Sequence, residues 1–105
     1  MPRTCSHLDQ IVVRELPESV AGCEDCLREG GEWVHLRICL ACGHVGCCDS
    51  SPGRHATAHG QASGHEIIRS LEPGEDWCYC FADEMAFVVP EVTGEPQIPP
   101  SPMLG

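Results

Sequence analysis

Cys39-Leu40-Ala41-Cys42 is followed by Cys47, His55, His59 and His65, all within 27 residues, and no other feature of the chain restricts its folding so severely. A Cys-x-x-Cys spacing puts two thiolates on one tight turn, near enough to bind a single metal ion. A second such pair, Cys23-Glu24-Asp25-Cys26, lies upstream, with Cys5-Ser6-His7 near the start and Cys78-Tyr79-Cys80 near the end. The pattern reads as a zinc-binding framework.

At 105 residues the chain can bury only a modest core, so crosslinks of some kind are expected. Nine cysteines raise the rival reading of a disulfide-rich secreted domain. Three features oppose it. No apolar signal-like segment follows Met1-Pro2-Arg3-Thr4, the cysteine count is odd, and six histidines accompany the cysteines. Zinc-bound thiolates in a reducing cytoplasm are therefore the expectation. No apolar run approaches membrane-spanning length, so no membrane association is expected and the chain reads as a soluble monomer.

The formal charge is −10, from 16 acidic and 6 basic residues, and every basic residue is Arg. A nucleic-acid binder needs a basic face, which this balance argues against. The absence of Lys also rules out Schiff-base chemistry on this chain.

Residues 1–89 carry every Cys and His and nearly all the periodic apolar pattern, and read as one folded domain. Residues 90–105 hold Pro90, Pro96, Pro99, Pro100 and Pro102 and no basic residue, which reads as a Pro-rich disordered tail. From Trp33 to Ile38 the pattern alternates, with Val34, Leu36 and Ile38 on one face: a short half-buried strand leading into the second Cys pair. Asp49-Ser50-Ser51-Pro52 offers hydroxyl caps and a proline for a helix through Arg54–His59 that fades at Gly60 or Gly64. His55 and His59, at i and i+4, would share one face of it. Strands are expected at His65–Arg69 and Asp76–Phe81, with a last apolar element at Met85–Val89. The sum is a small α+β domain in which a short antiparallel sheet packs with one main helix.

Tetrahedral structural zinc takes four Cys or His ligands. Cys5, His7, Cys23, Cys26, Cys39, Cys42, Cys47, His55, His59, His65, Cys78 and Cys80 make twelve candidates, enough for three closed sites, with two to three zinc ions per chain expected and three favoured. Spacing alone does not divide them among ions, and the His55/His59 pair would serve one zinc or two neighbouring ones. Cys48 reads better as a small core residue. His35 and His44 read as surface or hydrogen-bonding residues, and Glu72, Glu75, Asp76, Asp83 and Glu84 as a solvated face. Trp33, Trp77, Tyr79 and Phe81 fit either an aromatic recognition pocket or the core.

The run Cys-x-x-Cys-Gly-His-Val-Gly-Cys…His-Ala-x-x-His…Gly-His over residues 39–65 resembles the ubiquitin-specific-protease-type zinc finger. The likeness extends from Cys5-Ser6-His7-Leu8 to Trp77–Glu84. Forms of that domain also occur in a cytoplasmic histone deacetylase and in short bacterial proteins, and Glu72-Pro73-Gly74-Glu75-Asp76-Trp77 is similar to the bacterial forms. The resemblance implies cross-braced zinc sites. One would take Cys23, Cys26, Cys47 and His55, and a second Cys39, Cys42, His59 and His65. A third would take Cys5, His7 and Cys80, with Cys78 as fourth ligand.

The resemblance further implies a binding function. Family members that bind ubiquitin hold its free C-terminal Gly-Gly carboxylate beside the zinc sites, using an Arg after a Cys-Gly step and flanking aromatics. The matching stretch here is Cys47-Cys48-Asp49-Ser50, so an acid stands where the cation is expected. Trp33, Asp49, Trp77 and Tyr79 are the candidate peptide-binding residues. The expected function is a non-catalytic zinc-binding interaction module for a protein segment or C-terminal peptide, with ubiquitin disfavoured by Asp49. A thiol redox or zinc-release sensor using Cys47-Cys48 or Cys78-x-Cys80 is the alternative. A zinc hydrolase would need an open metal position, and no His-Glu-x-x-His helix is present.

Overall fold

Alternating short apolar runs separated by turns build a single five-stranded antiparallel sheet with two α-helices and a short 3-10 helix (Leu8–Gln10) in the computed structural model, which describes residues 6–104. The helices are α1 (Glu24–Glu29) and α2 (His55–Ser63). The strands are β1 (Leu36–Cys39), β2 (Val45–Cys47), β3 (Ile67–Ser70), β4 (Trp77–Cys80) and β5 (Met85–Val88), laid side by side as β2-β1-β3-β4-β5. Register pairs Leu36 with Cys47, Ile38 with Arg69, Arg69 with Cys78 and Cys78 with Phe87. Because side chains alternate across a pleated strand, these residues share one face. That face is buried against Ile11, Leu16, Leu71 and Val92. The opposite face carries Arg37, Ile68, Trp77 and Tyr79.

The β2 end of this second face is covered by α2. Gly46 makes that approach possible: a Cβ there would lie 2.7 Å from the Ala56 nitrogen. The helix starts later than the hydroxyl-rich stretch suggests. Its N-cap is Arg54, held at φ 44° and ψ 47°, with no side-chain cap hydrogen bond. The first-turn amide of His55 instead donates to Cys47 Sγ at 3.3 Å, while Ser51 Oγ accepts from the Val34 amide at 2.8 Å. A sulfur does the work expected of a hydroxyl. Cys23 repeats this at α1, where its Sγ accepts from the Cys26 amide.

Two further expectations are corrected. The strand expected from Trp33 begins at Leu36, because Trp33 turns into the core over Gly22. The Pro-rich segment expected to be a disordered tail is laid against residues 14–20. The Leu16 and Val20 amides donate to the Thr93 and Gln97 carbonyls, and the Thr93 and Gln97 amides return bonds to Arg14 and Glu18. Val92 is buried, and Ser101 Oγ donates to the Trp33 carbonyl at 2.8 Å. Prolines leave every other backbone group free to pair with a neighbouring extended segment, and Val92 and Ile98 supply the apolar anchors.

Gly46→Ala is expected to lower stability by about 1–3 kcal/mol through overpacking against backbone that cannot retreat, read as a reduced denaturant midpoint at unchanged slope. A midpoint equal to that of the parent would contradict so close a seat for α2.

Candidate metal centres

Cys23 and Cys26 at the start of α1, Cys47 at the end of β2 and His55 at the start of α2 converge on one point. His55 Nδ1 lies 3.4 Å from Cys23 Sγ, 3.3 Å from Cys26 Sγ and 3.4 Å from Cys47 Sγ, and the Cys26 and Cys47 sulfurs are 3.9 Å apart. One ring nitrogen makes one hydrogen bond, so three equidistant sulfurs are not explained by hydrogen bonding. They do fit a tetrahedron. Zinc–sulfur and zinc–nitrogen bonds of about 2.3 and 2.05 Å give edges of about 3.8 Å (S···S) and 3.6 Å (S···N). Burial pushes the Cys23 and Cys26 thiols up, and for Cys26 the neighbouring cysteines add to the effect. Thiolates at Cys23 and Cys26 therefore need a nearby cation to compensate them. Glu29 Oε1, 3.5 Å from His55 Nε2, orients the far side of the ring.

Cys39, Cys42, His59 and His65 form the second cluster, with Cys39 Sγ 3.5 Å from His65 Nδ1 and Cys42 Sγ 3.3 Å from His59 Nε2. Burial, together with His44 and His65, lowers the His59 pKa and keeps the ring in its neutral, ligating form. His44 stacks on His59 at 4.4 Å between centroids and 11° between planes. Its Nε2 lies 2.7 Å from Asp25 Oδ2 and its Nδ1 3.6 Å from Glu24 Oε1. Asp25 is held below the usual carboxylate range although burial opposes this, because His44 and Arg28 bond to it. Since Glu24 and Asp25 sit between the first cluster's Cys23 and Cys26, His44 ties the two clusters together. Ligand pairs alternate along the chain between the clusters, which cross-braces α1, β1, β2 and α2.

A third group gathers His7, Cys80 and Asp83, with His7 Nδ1 3.5 Å from Cys80 Sγ and 3.4 Å from Asp83 Oδ2. Cys5, expected here, lies outside the described residues. Cys78, also expected here, is not brought to the group. It shares a face with Cys80 but sits one pleat repeat away, about 6.7 Å along β4, buried opposite Phe87 with its thiol pushed up by desolvation. Asp83 arrives instead from the tight turn after β4. Its carboxylate accepts from the Ser6 amide at 2.7 Å and hydroxyl at 3.0 Å. Sequence reading had placed it on a solvated face; its position three residues after Cys80 was the available signal.

Cys48 points away from all three groups, with its Sγ 3.5 Å from Ser51 Oγ. Burial opposes ionisation of its thiol, but the Ser51 hydroxyl, nearby backbone amides and Arg37 outweigh it and lower the pKa.

Residues 23–90 match the family described as the zinc finger in ubiquitin-hydrolases and other proteins. The chain belongs to that family. Ubiquitin carboxyl-terminal hydrolase 16 of Danio rerio is 28% identical over 105 residues, covering 80% of this chain but 13% of the relative. The enzyme of the same name from Mus musculus is 30% identical over 77 residues, covering 62% of this chain and 9% of the relative. This zinc finger therefore spans a small fraction of either relative. A protein of Rhodopseudomonas palustris, known from a solution NMR structure, is 45% identical with a TM-score of 0.69, covering 92% of this chain and 98% of that one. No helix among the described residues is long and apolar enough to cross a membrane.

Beside its Cys/His clusters, the zinc finger opens a cavity of about 520 Å³ between α2 and the uncovered face of the sheet. Of the expected peptide-binding residues, Asp49, Trp77 and Tyr79 line it; Trp33 does not, being packed over Gly22. Phe81, which the sequence offered to either an aromatic pocket or the core, also lines it, as do Arg37 and Glu84, which were not singled out from the sequence as a site. Arg37 was legible as the residue alternating outward between Leu36 and Ile38. Its guanidinium lies 4.6 Å from the Trp77 ring and donates to the Leu36 carbonyl and Ser70 Oγ.

Cys47→Ser is expected to remove one equivalent of bound metal and destabilise the domain, whereas Cys48→Ser keeps full metal content; elemental analysis with thermal melts checks both, and the reverse result would move the ligand by one position. His44→Ala is expected to weaken metal binding at the second cluster by about 10- to 100-fold, as loss of an orienting partner does, measured by competition with a chromophoric chelator. Unchanged affinity would make the stack incidental.

Proposed function

We propose that this domain is a non-catalytic, zinc-stapled interaction module that holds an extended segment of a partner protein in the cavity between α2 and the sheet. The observation that carries the reading is the cavity itself: apolar and aromatic walls from Ile68, Trp77, Tyr79 and Phe81, with a few polar groups at the mouth. Such a surface suits a peptide held by side-chain pockets and oriented by sparse polar contacts.

Zinc supplies structure in this reading, as an electrostatic crosslink where the hydrophobic core is small. Cys23, Cys26, Cys47 and His55 would hold one ion, and Cys39, Cys42, His59 and His65 another. His7, Cys80 and Asp83 would hold a third, with Cys5 as fourth ligand. Four protein ligands close each of the first two tetrahedra and leave no position there for an activated water, which argues for binding rather than hydrolysis.

A ubiquitin-type C-terminal carboxylate suits this cavity poorly. Asp49 and Glu84 stand at its mouth, and Asp49 Oδ1 already accepts the Thr57 hydroxyl at 2.5 Å. Arg37, the cation present, is already bonded on its own wall. A carboxylate entering here meets like charge before it reaches a donor.

Titration of the metal-loaded domain with capped tetrapeptides, followed by amide chemical shifts, is expected to move resonances of Trp77, Tyr79 and Phe81, and Tyr79→Ala is expected to abolish the response. Shifts confined to other surfaces would contradict the reading. Acetyl-Leu-Ala-Gly-Gly with a free carboxylate is expected to show no measurable binding, and Asp49→Arg to restore some. Tight binding of that tail to the native domain would defeat the electrostatic argument.

A further inference from the structure

The cavity's charge pattern narrows the partner further, on the premise that the cavity binds a segment at all. We infer that its cognate ligand is a cationic side chain, lysine or arginine, presented by an extended segment of a partner protein. Two independent observations point there, and a third bears on one of the carboxylates involved.

The first is the wall. Trp77, Tyr79 and Phe81 alternate outward from β4 and the turn that follows it, so their rings form a row, with Tyr79 and Phe81 edge to face at 5.7 Å between centroids. Aromatic faces carry negative quadrupole density and attract cations. The domain demonstrates the preference on itself, because the Arg37 guanidinium already sits over Trp77 at 4.6 Å. Tyr79 offers the next ring along the same wall.

The second is the mouth. Asp49, just beyond β2, and Glu84, at the β4–β5 turn, flank the cavity from opposite elements. Asp49 is bonded to the Thr57 hydroxyl, and among the described residues neither carboxylate forms an ion pair. A cation on the Tyr79 ring would therefore meet acceptors not already neutralised.

The third is backbone conformation. Glu84 holds φ 50°, a left-handed conformation uncommon for residues other than Gly, Asn and Asp. The kink separates consecutive acids: Asp83 turns to Ser6 and His7, whereas Glu84 lines the cavity. A residue held in a costly conformation where it borders a cavity is a pointer to use. The chain's formal charge of −10 adds long-range attraction for cationic partners.

The experiment compares three capped peptides on the metal-loaded native domain: acetyl-Gly-Lys-Gly-amide, its norleucine isostere and its glutamate counterpart. Cation–π and partly exposed ion-pair contributions together predict that lysine binds about tenfold tighter than norleucine, that glutamate binds weakest, and that the lysine advantage shrinks as salt rises. The Asp49→Asn/Glu84→Gln double variant, both positions being exposed, is expected to cut the lysine advantage to the cation–π share, about threefold, and to remove its salt dependence. Norleucine binding as tightly as lysine, or a lysine advantage undiminished by the double variant, would overturn the inference and leave the segment-binding reading standing. Failure of all three peptides to bind would overturn both.

Discussion

Three sulfurs and one imidazole nitrogen, each contributed by a different stretch of chain or a different end of one, meet at near-tetrahedral edges beneath the start of α2. Everything else in the fold is arranged around that meeting and its counterpart at Cys39, Cys42, His59 and His65. Buried thiols resist ionisation, so the arrangement is favourable only when a cation compensates them. The same sulfurs also satisfy backbone: Cys23 Sγ caps α1, and Cys47 Sγ receives the first amide of α2. The sulfurs placed to ligate a metal are thus the same ones that initiate the helices. That is why such short elements are ordered in a chain of this size.

Much of this was legible in the residues, for reasons that can be named. Cys-x-x-Cys spacing is a local constraint, so both cysteine turns could be seen without knowing the fold. Alternation in Leu36-Arg37-Ile38 gave β1 and its buried face, and i,i+4 spacing put His55 and His59 on the same helix. The division of those two histidines between clusters was not legible from spacing. It depends on β2 returning antiparallel to β1, which sets Cys47 opposite Leu36 and places α2 over Gly46. Asp83 was missed because a carboxylate on a turn looks solvated until Ser6 and His7 are brought to it from across the molecule. The Pro-rich segment misled for a related reason: composition reports a lack of core-forming residues, but two apolar anchors and an exposed backbone partner suffice to fix an extended strap.

β4 shows how one short strand serves both halves of the molecule. Cys78 and Cys80 face the core, Cys80 beside His7, while Trp77 and Tyr79 face the cavity. Strand periodicity forces this division. The cavity wall and the buried core are thus two faces of the same short strand. His44 plays the corresponding role between clusters, carrying contact from the acids of α1 to the ring of His59.

Cadmium-113 substitution with proton–cadmium correlation spectroscopy tests the cross-braced arrangement most directly, because scalar coupling reports which side chains share an ion. The account predicts one cadmium resonance coupled to the β-protons of Cys23, Cys26 and Cys47 and to the His55 ring. A second is expected to couple to Cys39, Cys42, His59 and His65, and a third to Cys80 and His7. A resonance that joins Cys23 to Cys39, or places His55 and His59 on the same ion, would contradict it.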